Sequence, residues 1–260
     1  MSASSEAGRD FAGKVAFVSG ASRGIGAATA RILGRRGAAV GVNYNRSEAA
    51  AKAVASEIES FGSAAVTVQA DVTKPDEFSA AVDTVEATLG PIDIAIINAH
   101  ALDNPARAPF EKVPQWLVED VIMRQVRALL VPARRILPRM AERGYGSVVV
   151  VTSTQVLHPA EQMLALAMGK GALDVGVKSL ALEYSPRGVR VNAIAPGPVM
   201  TDATSTLLSD EYKQARADIT PLGRLAVAED VAGPIVALAS EACAFCTGAT
   251  LQVNGGIVMA

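Results

Sequence analysis

Six apolar segments rich in β-branched residues recur along the chain: Val15 to Ser19, Ala39 to Asn43, Ala65 to Ala70, Ile92 to Asn98, Ser147 to Thr152 and Val189 to Ala195. The stretches between them have helical periodicity, and a seventh strand-like segment, Thr250 to Val253, follows a helix ending near Ser240. Strand and helix therefore alternate. Such alternation calls for a parallel sheet covered by helices on both faces, and right-handed crossovers leave few ways to order its strands. The expected fold class is α/β, a doubly wound seven-stranded parallel sheet in the order 3-2-1-4-5-6-7. At 260 residues, half of them hydrophobic, the chain can bury one large core as a single domain.

The N-terminal MSASSEAGRD is small and polar, without the basic-then-apolar order of a signal peptide, and no apolar run reaches the length of a membrane span. Residues 1–10 are expected to form a mobile tail, and residues 11–260 one domain of a cytoplasmic protein with no membrane partner. A formal net charge of -2 supplies no basic field, so nucleic acid is excluded as a partner. Pro132 and Pro138 fall inside the helical pattern Trp116 to Arg143, and Pro234 inside Glu229 to Ser240, which predicts kinks or breaks. The polar, alanine-rich segment Met200 to Thr220 follows a Pro-Gly-Pro turn and reads as a mobile lid. Cys243 and Cys246 form a CxxC, but not at the start of a helix that follows a strand. They are expected as small core thiols rather than a redox pair.

The first strand runs through Ser19-Gly20-Ala21-Ser22-Arg23-Gly24-Ile25-Gly26 straight into a helix. A glycine-rich turn of this kind lets backbone approach a pyrophosphate, which sits on the helix N-terminus where unpaired N–H groups and the dipole favour an anion. Further segments stand in matching places downstream: Asp71-Val72 after strand three, Asn98-Ala99-His100 after strand four, Ser153 after strand five, Lys170 on the next helix, and Pro196-Gly197-Pro198-Val199-Met200-Thr201 after strand six. Together with Arg187-Gly188-Val189-Arg190-Val191-Asn192 they resemble the short-chain dehydrogenase/reductase family over roughly residues 11 to 256, and the sheet is expected to be Rossmann-type.

The resemblance implies that Gly20, Ser22, Arg23, Gly24, Ile25 and Gly26 hold the diphosphate and adenosine ribose of a nicotinamide cofactor. It places Asp71 and Val72 at the adenine, Asn98 and Ala99 at the adjoining ribose, Lys170 at the nicotinamide ribose and Val199 and Thr201 at the nicotinamide carboxamide, with Pro196 and Gly197 also in contact with the cofactor. An NAD enzyme would carry an acidic residue at the end of strand two. This chain reads Asn43-Tyr44-Asn45-Arg46-Ser47 there, and Arg46 with Arg23 can pair bidentately with a 2'-phosphate, so Asn45, Arg46 and Ser47 are assigned to NADPH.

The family's working groups are an asparagine, a serine, and a tyrosine and lysine spaced YxxxK. Ser153 and Lys170 are present, but the spacing reads Leu166-Ala167-Met168-Gly169-Lys170, and Gln125 stands where the asparagine falls. Met163 occupies the tyrosine position of the longer enoyl-reductase spacing, and Tyr212, with Arg216 in YxxxR spacing, lies in the expected lid. A positioned proton donor is worth roughly 10²–10⁴ in rate, and leucine cannot donate. Two histidines, His100 and His158, fall just beyond strand ends and are the surrogate candidates, with Glu161 and Gln155 behind them.

Hydride transfer tolerates a missing acid when the product anion is delocalised, as with a quinone or an enone-phenol. The leading expectation is an NADPH-dependent reductase of a flat, conjugated, aromatic or quinoid metabolite in polyketide-like biosynthesis. One alternative is a degenerate NADPH-binding scaffold or partner subunit; others are a redox-neutral cyclase or isomerase, and a ketoreductase whose tyrosine has been replaced. By resemblance, the helices Trp116 to Arg143 and Glu161 to Arg187 form a subunit interface, giving a homotetramer or dimer, with room for a separate pathway partner.

Overall fold

The computed structural model describes residues 9–99, 106–200 and 209–259. In chain order the elements are β1 (Val15–Val18), α1 (Gly24–Arg35), β2 (Ala39–Tyr44), α2 (Glu48–Ser60), β3 (Ala65–Gln69), α3 (Pro75–Leu89), β4 (Ile94–Ile97) and α4 (Gln115–Arg143). They continue with β5 (Gly146–Val151), α5 (Leu164–Tyr184), β6 (Val189–Pro196), β7 (Val199–Met200), α6 (Asp210–Asp218), β8 (Ala226–Val227), α7 (Ala228–Ala239) and β9 (Thr250–Val253). The main sheet is parallel throughout, in the order β3-β2-β1-β4-β5-β6-β9. This is the expected doubly wound Rossmann-type order, with β9 as its seventh strand.

Both faces of the sheet are covered, which is why its strands read as unbroken apolar runs rather than alternating ones. In β1, Val15 and Phe17 join a core with Phe78 and Val85 of α3, Ile136 and Met140 of α4, and Leu173 and Val177 of α5. Ala16 and Val18 point the other way, into a core with Leu33 of α1, Ile58 of α2 and Ile235 of α7. The strand order reverses between β1 and β4, and the carboxyl ends of those strands therefore open a crevice.

Three expectations are corrected. Residues 9 and 10 are not tail: Asp10 pairs with Arg36, and Arg9 donates to the Gly62 carbonyl at 3.4 Å. Of the kinks or breaks expected at the prolines, the breaks do not occur: α4 and α7 continue as helix through Pro132, Pro138 and Pro234. A helix-interior proline costs about 3 kcal/mol, whereas the inner face of α4 buries Val121, Leu129, Ile136, Leu137 and Met140, worth roughly 1.5–3 kcal/mol each. Packing wins. Gly144 then ends α4 in the left-handed conformation at φ 67°, which a side chain would resist. Finally, Cys243 and Cys246 are free and only half-buried; burial, then the neighbouring Cys246, pushes the Cys243 thiol up, away from reactivity.

The two-residue strands β7 and β8 form a separate parallel pair, Val199 opposite Ala226 and Met200 opposite Val227. They bracket the expected lid, of which residues 201–208 lie outside the described residues; α6 occupies part of the remainder. On the outside of the molecule α4 exposes Trp116, Met123 and Leu130 at intervals of seven, and α5 likewise exposes Met168, Val175 and Leu182.

Candidate active site

A cleft of about 630 Å³ opens at the carboxyl ends of the central strands. Its floor is the turn after β1. Gly20 takes φ +62°, and Gly26 packs so closely that a Cβ there would lie 2.3 Å from the Gly20 carbonyl oxygen. α1 begins behind a cap residue, Arg23, whose side chain makes no capping hydrogen bond, so its first-turn amides remain available to an anion. An uncapped helix start beneath a glycine turn that tolerates no Cβ is the cradle a dinucleotide phosphate needs.

Neighbouring strands fix this turn through buried polar side chains. The Asn98 amide nitrogen donates to the carbonyls of Ser19 at 3.0 Å and Gly20 at 3.2 Å, while the Ser19 hydroxyl accepts from the Asn98 and Ala99 N–H groups. Asn43, at the end of β2, accepts from Gly20 N–H at 3.1 Å and donates to the Val68 and Ala70 carbonyls. Its side chain is thereby consumed inside the fold. Asp71 is tied to Thr73 through the Thr73 N–H at 2.9 Å and hydroxyl at 2.7 Å, which shapes the turn into α3.

Arg23, Asn45, Arg46 and Ser47 line the same side of the cleft, and Arg23 donates to the Ser47 hydroxyl at 3.3 Å. At the other end stand Val151, Thr152 and Ser153 from β5 and its continuation, Leu166 and Lys170 from α5, and Pro196, Gly197 and Val199 after β6. Leu166 and Lys170 are one helical turn apart and so share a face. Lys170 is buried, its ammonium donates to the Val151 carbonyl at 2.8 Å, and burial pulls its pKa down to about 8. The Ser153 hydroxyl accepts from the Gln155 N–H at 3.2 Å, which leaves its own proton free to be donated.

The cleft thus brings together the sequence candidates Gly20, Ser22, Arg23, Gly24, Ile25, Asn45, Arg46, Ser47, Asp71, Val72, Asn98, Ala99, Ser153, Lys170, Pro196, Gly197 and Val199. Gly26 stands behind the turn rather than on the cleft wall, allowing the close packing just described. His158 is not brought in: it is exposed in the turn after Ser153, where its N–H bonds to the Thr154 carbonyl. Glu161 is exposed too, and Gln155 spends its side-chain oxygen on the Ala160 N–H at 2.7 Å. His100 and Thr201 lie outside the described residues.

Sequence reasoning missed Arg124, which also lines the cleft and pairs with Asp120 at 2.7 Å. It also missed the structural work of Ser19 and Asn43; a polar residue closing an apolar strand was the available signal. Gln125 is wholly buried against the glycine at position 169, and both polar atoms of its side chain lack a partner among the described residues.

Residues 20–258 match the protein family described as Enoyl-(Acyl carrier protein) reductase. The chain is 33% identical over 252 residues to 3beta-hydroxysteroid dehydrogenase 1 of Eggerthella lenta, covering 96% of this chain and 95% of that one. It is 34% identical over 248 residues to a 3-oxoacyl-[acyl-carrier-protein] reductase of Staphylococcus epidermidis, covering 95% and 99% respectively. Among solved structures, a 7 alpha-hydroxysteroid dehydrogenase complexed with NADH and 7-oxo glycochenodeoxycholic acid superposes with a TM-score of 0.89 at 30% identity, over 97% of this chain and 96% of that chain.

Proposed function

The chain belongs to the short-chain dehydrogenase/reductase family, and from that premise we propose that it is an NADPH-dependent reductase of a flat, conjugated, aromatic or quinoid metabolite of polyketide-like biosynthesis, working without a tyrosine acid. One observation carries this reading: Leu166 lines the cleft one turn from Lys170, and no described residue lining that cleft is a tyrosine or a histidine. An intact dinucleotide cradle beside an apolar wall favours an acceptor whose reduced form needs no acid at the moment of transfer.

NADPH is favoured over NADH by Arg23 and Arg46 on the cleft wall and by the absence of a carboxylate at the end of β2, where Asn43 spends its side chain on inward bonds. Bound nicotinamide supplies a hydride equivalent. The chain's own groups then have separate tasks. Lys170 has N–H groups beyond the one given to Val151, enough to hold the nicotinamide ribose, and its charge stabilises negative charge developing in the low-dielectric cleft. The Ser153 hydroxyl donates a hydrogen bond to an acceptor oxygen and orients it. Leu166 excludes water and widens the pocket for a planar ring. The proton reaches the product from solvent or from the substrate's own hydroxyl.

The two exposed apolar stripes at seven-residue intervals on α4 and α5 support a four-helix interface between copies, hence a homodimer or homotetramer. No helix among the described residues is long and apolar enough to cross a membrane, and a cytoplasmic location is part of the proposal. The test is a panel of acceptors with NADPH and NADH. NADPH oxidation with quinone-type acceptors, with label from deuterated cofactor entering the product, supports the reading. Faster turnover of simple ketones, or a product without label, overturns it.

A further inference from the structure

Arg124 borders the cleft, and the geometry of α4 decides which half of the cleft it serves. Gln125 and Leu129 pack against the glycines at positions 169 and 176 of α5, so that side of α4 is turned towards α5. Arg135 and Arg139 instead bond to Asp83 and Glu86 of α3. Arg124 precedes Arg135 by eleven residues, about three turns at 3.6 residues per turn, and therefore shares the α3-facing side. It lines the same cleft as Val72, whose strand leads into α3, and Asn98 at the end of β4, on a side of α4 about 100° round the helix from the one that faces α5.

From this placement we infer that Arg124 is an adenine ligand, its guanidinium plane lying against the face of the base, and that Asp120 holds it aside when the base is absent. The inference rests on the reading that the cleft binds a nicotinamide dinucleotide. A guanidinium is weakly hydrated and planar, and an aromatic face attracts it through the ring quadrupole. Its present partner competes feebly. The Arg124 and Asp120 side chains are 46% and 42% exposed and one turn apart, and ion pairs of that kind hold weakly in water. The guanidinium is free to exchange a solvated carboxylate for a base that shields it.

The experiment is calorimetric binding of ADP, adenosine 2',5'-bisphosphate, nicotinamide mononucleotide and NADPH to the wild type, Arg124→Ala, Arg124→Lys and Asp120→Asn. Arg124→Ala is expected to weaken ADP, the bisphosphate and NADPH alike by about fivefold, the size of a partly solvated cation–π contact. Nicotinamide mononucleotide should bind unchanged. Arg124→Lys should recover only part of the loss, since it restores the charge and not the plane, and Asp120→Asn should tighten ADP. Unaltered ADP binding by Arg124→Ala overturns the adenine contact, as does a loss confined to the bisphosphate, which would put the guanidinium on the 2'-phosphate. If the wild type binds neither ADP nor NADPH, the dinucleotide reading itself falls and takes this inference with it.

Discussion

Replacing Lys170 with methionine should make the ligand-free protein more stable at neutral pH. Lys170 is charged inside the fold, with its pKa drawn down by burial from 10.5 to about 8. At 1.36 kcal/mol for each tenfold change in proton affinity, keeping that charge costs the folded state about 3 kcal/mol. Below pH 8 lysine is protonated in both folded and unfolded chains, and the full cost is present. Between pH 8 and 10.5 the unfolded chain binds the proton more tightly, so stability rises with pH; above 10.5 the cost is gone. Methionine fills a similar volume without the charge but forfeits the hydrogen bond that the ammonium gives to Val151, worth about 2 kcal/mol for a charged donor. The expected gain at pH 7 is therefore about 1 kcal/mol, which for a chain of this size raises Tm by roughly 2–4 °C. Calorimetry on both proteins at pH 7 and pH 10, at one fixed protein concentration, reads this out. A variant no more stable than wild type at pH 7, or a difference that fails to shrink by pH 10, would show that burial does not burden the lysine as argued.

Leu166→Tyr should raise turnover of a simple ketone by about 10²–10⁴ while doing little for a quinoid acceptor or crowding it; steady-state kinetics with both acceptors decide, and no gain on the ketone contradicts the assigned register. Gly26→Ala places a Cβ against the Gly20 carbonyl and the Asn98 amide and should cost at least about tenfold in nucleotide affinity with the far-ultraviolet circular dichroism unchanged. Binding calorimetry checks it, and wild-type affinity would mean the turn can yield. Val175→Glu combined with Leu182→Glu should dissociate the protein into monomers in light scattering, since both side chains lie on the exposed stripe of α5; an unchanged mass would move the interface elsewhere.

The sheet was legible because burial on two faces leaves a signal that single residues cannot erase: β5 reads Gly-Ser-Val-Val-Val-Val and is buried along its whole length. The glycine turn was legible because its chemistry is backbone chemistry. β7 and β8 were not, as two-residue strands leave no periodicity, and the continuity of α4 was not, because proline propensity is local while the packing that overrides it comes from α3, α5 and the sheet. His158 shows the same limit at the site. Its distance from Ser153 along the chain put it near the cleft, but the turn at residues 154–156 directs the chain back towards solvent. Arg124 escaped notice for the complementary reason, since an arginine one turn from an aspartate looks like any solvated helix pair until the neighbouring strands are in place.

The small pair β7 and β8 fixes both ends of residues 201–225 next to the cleft, with Val199 itself on the cleft wall. The described part of that stretch is also tied to the segment after β9, where the Leu222 N–H bonds to the Gly255 carbonyl at 3.1 Å, and lengthening between such anchors is cheap, since doubling a closed loop costs only about 0.6 kcal/mol in chain entropy. Length changes between β7 and β8 are therefore expected to leave the glycine turn after β1 in its original register.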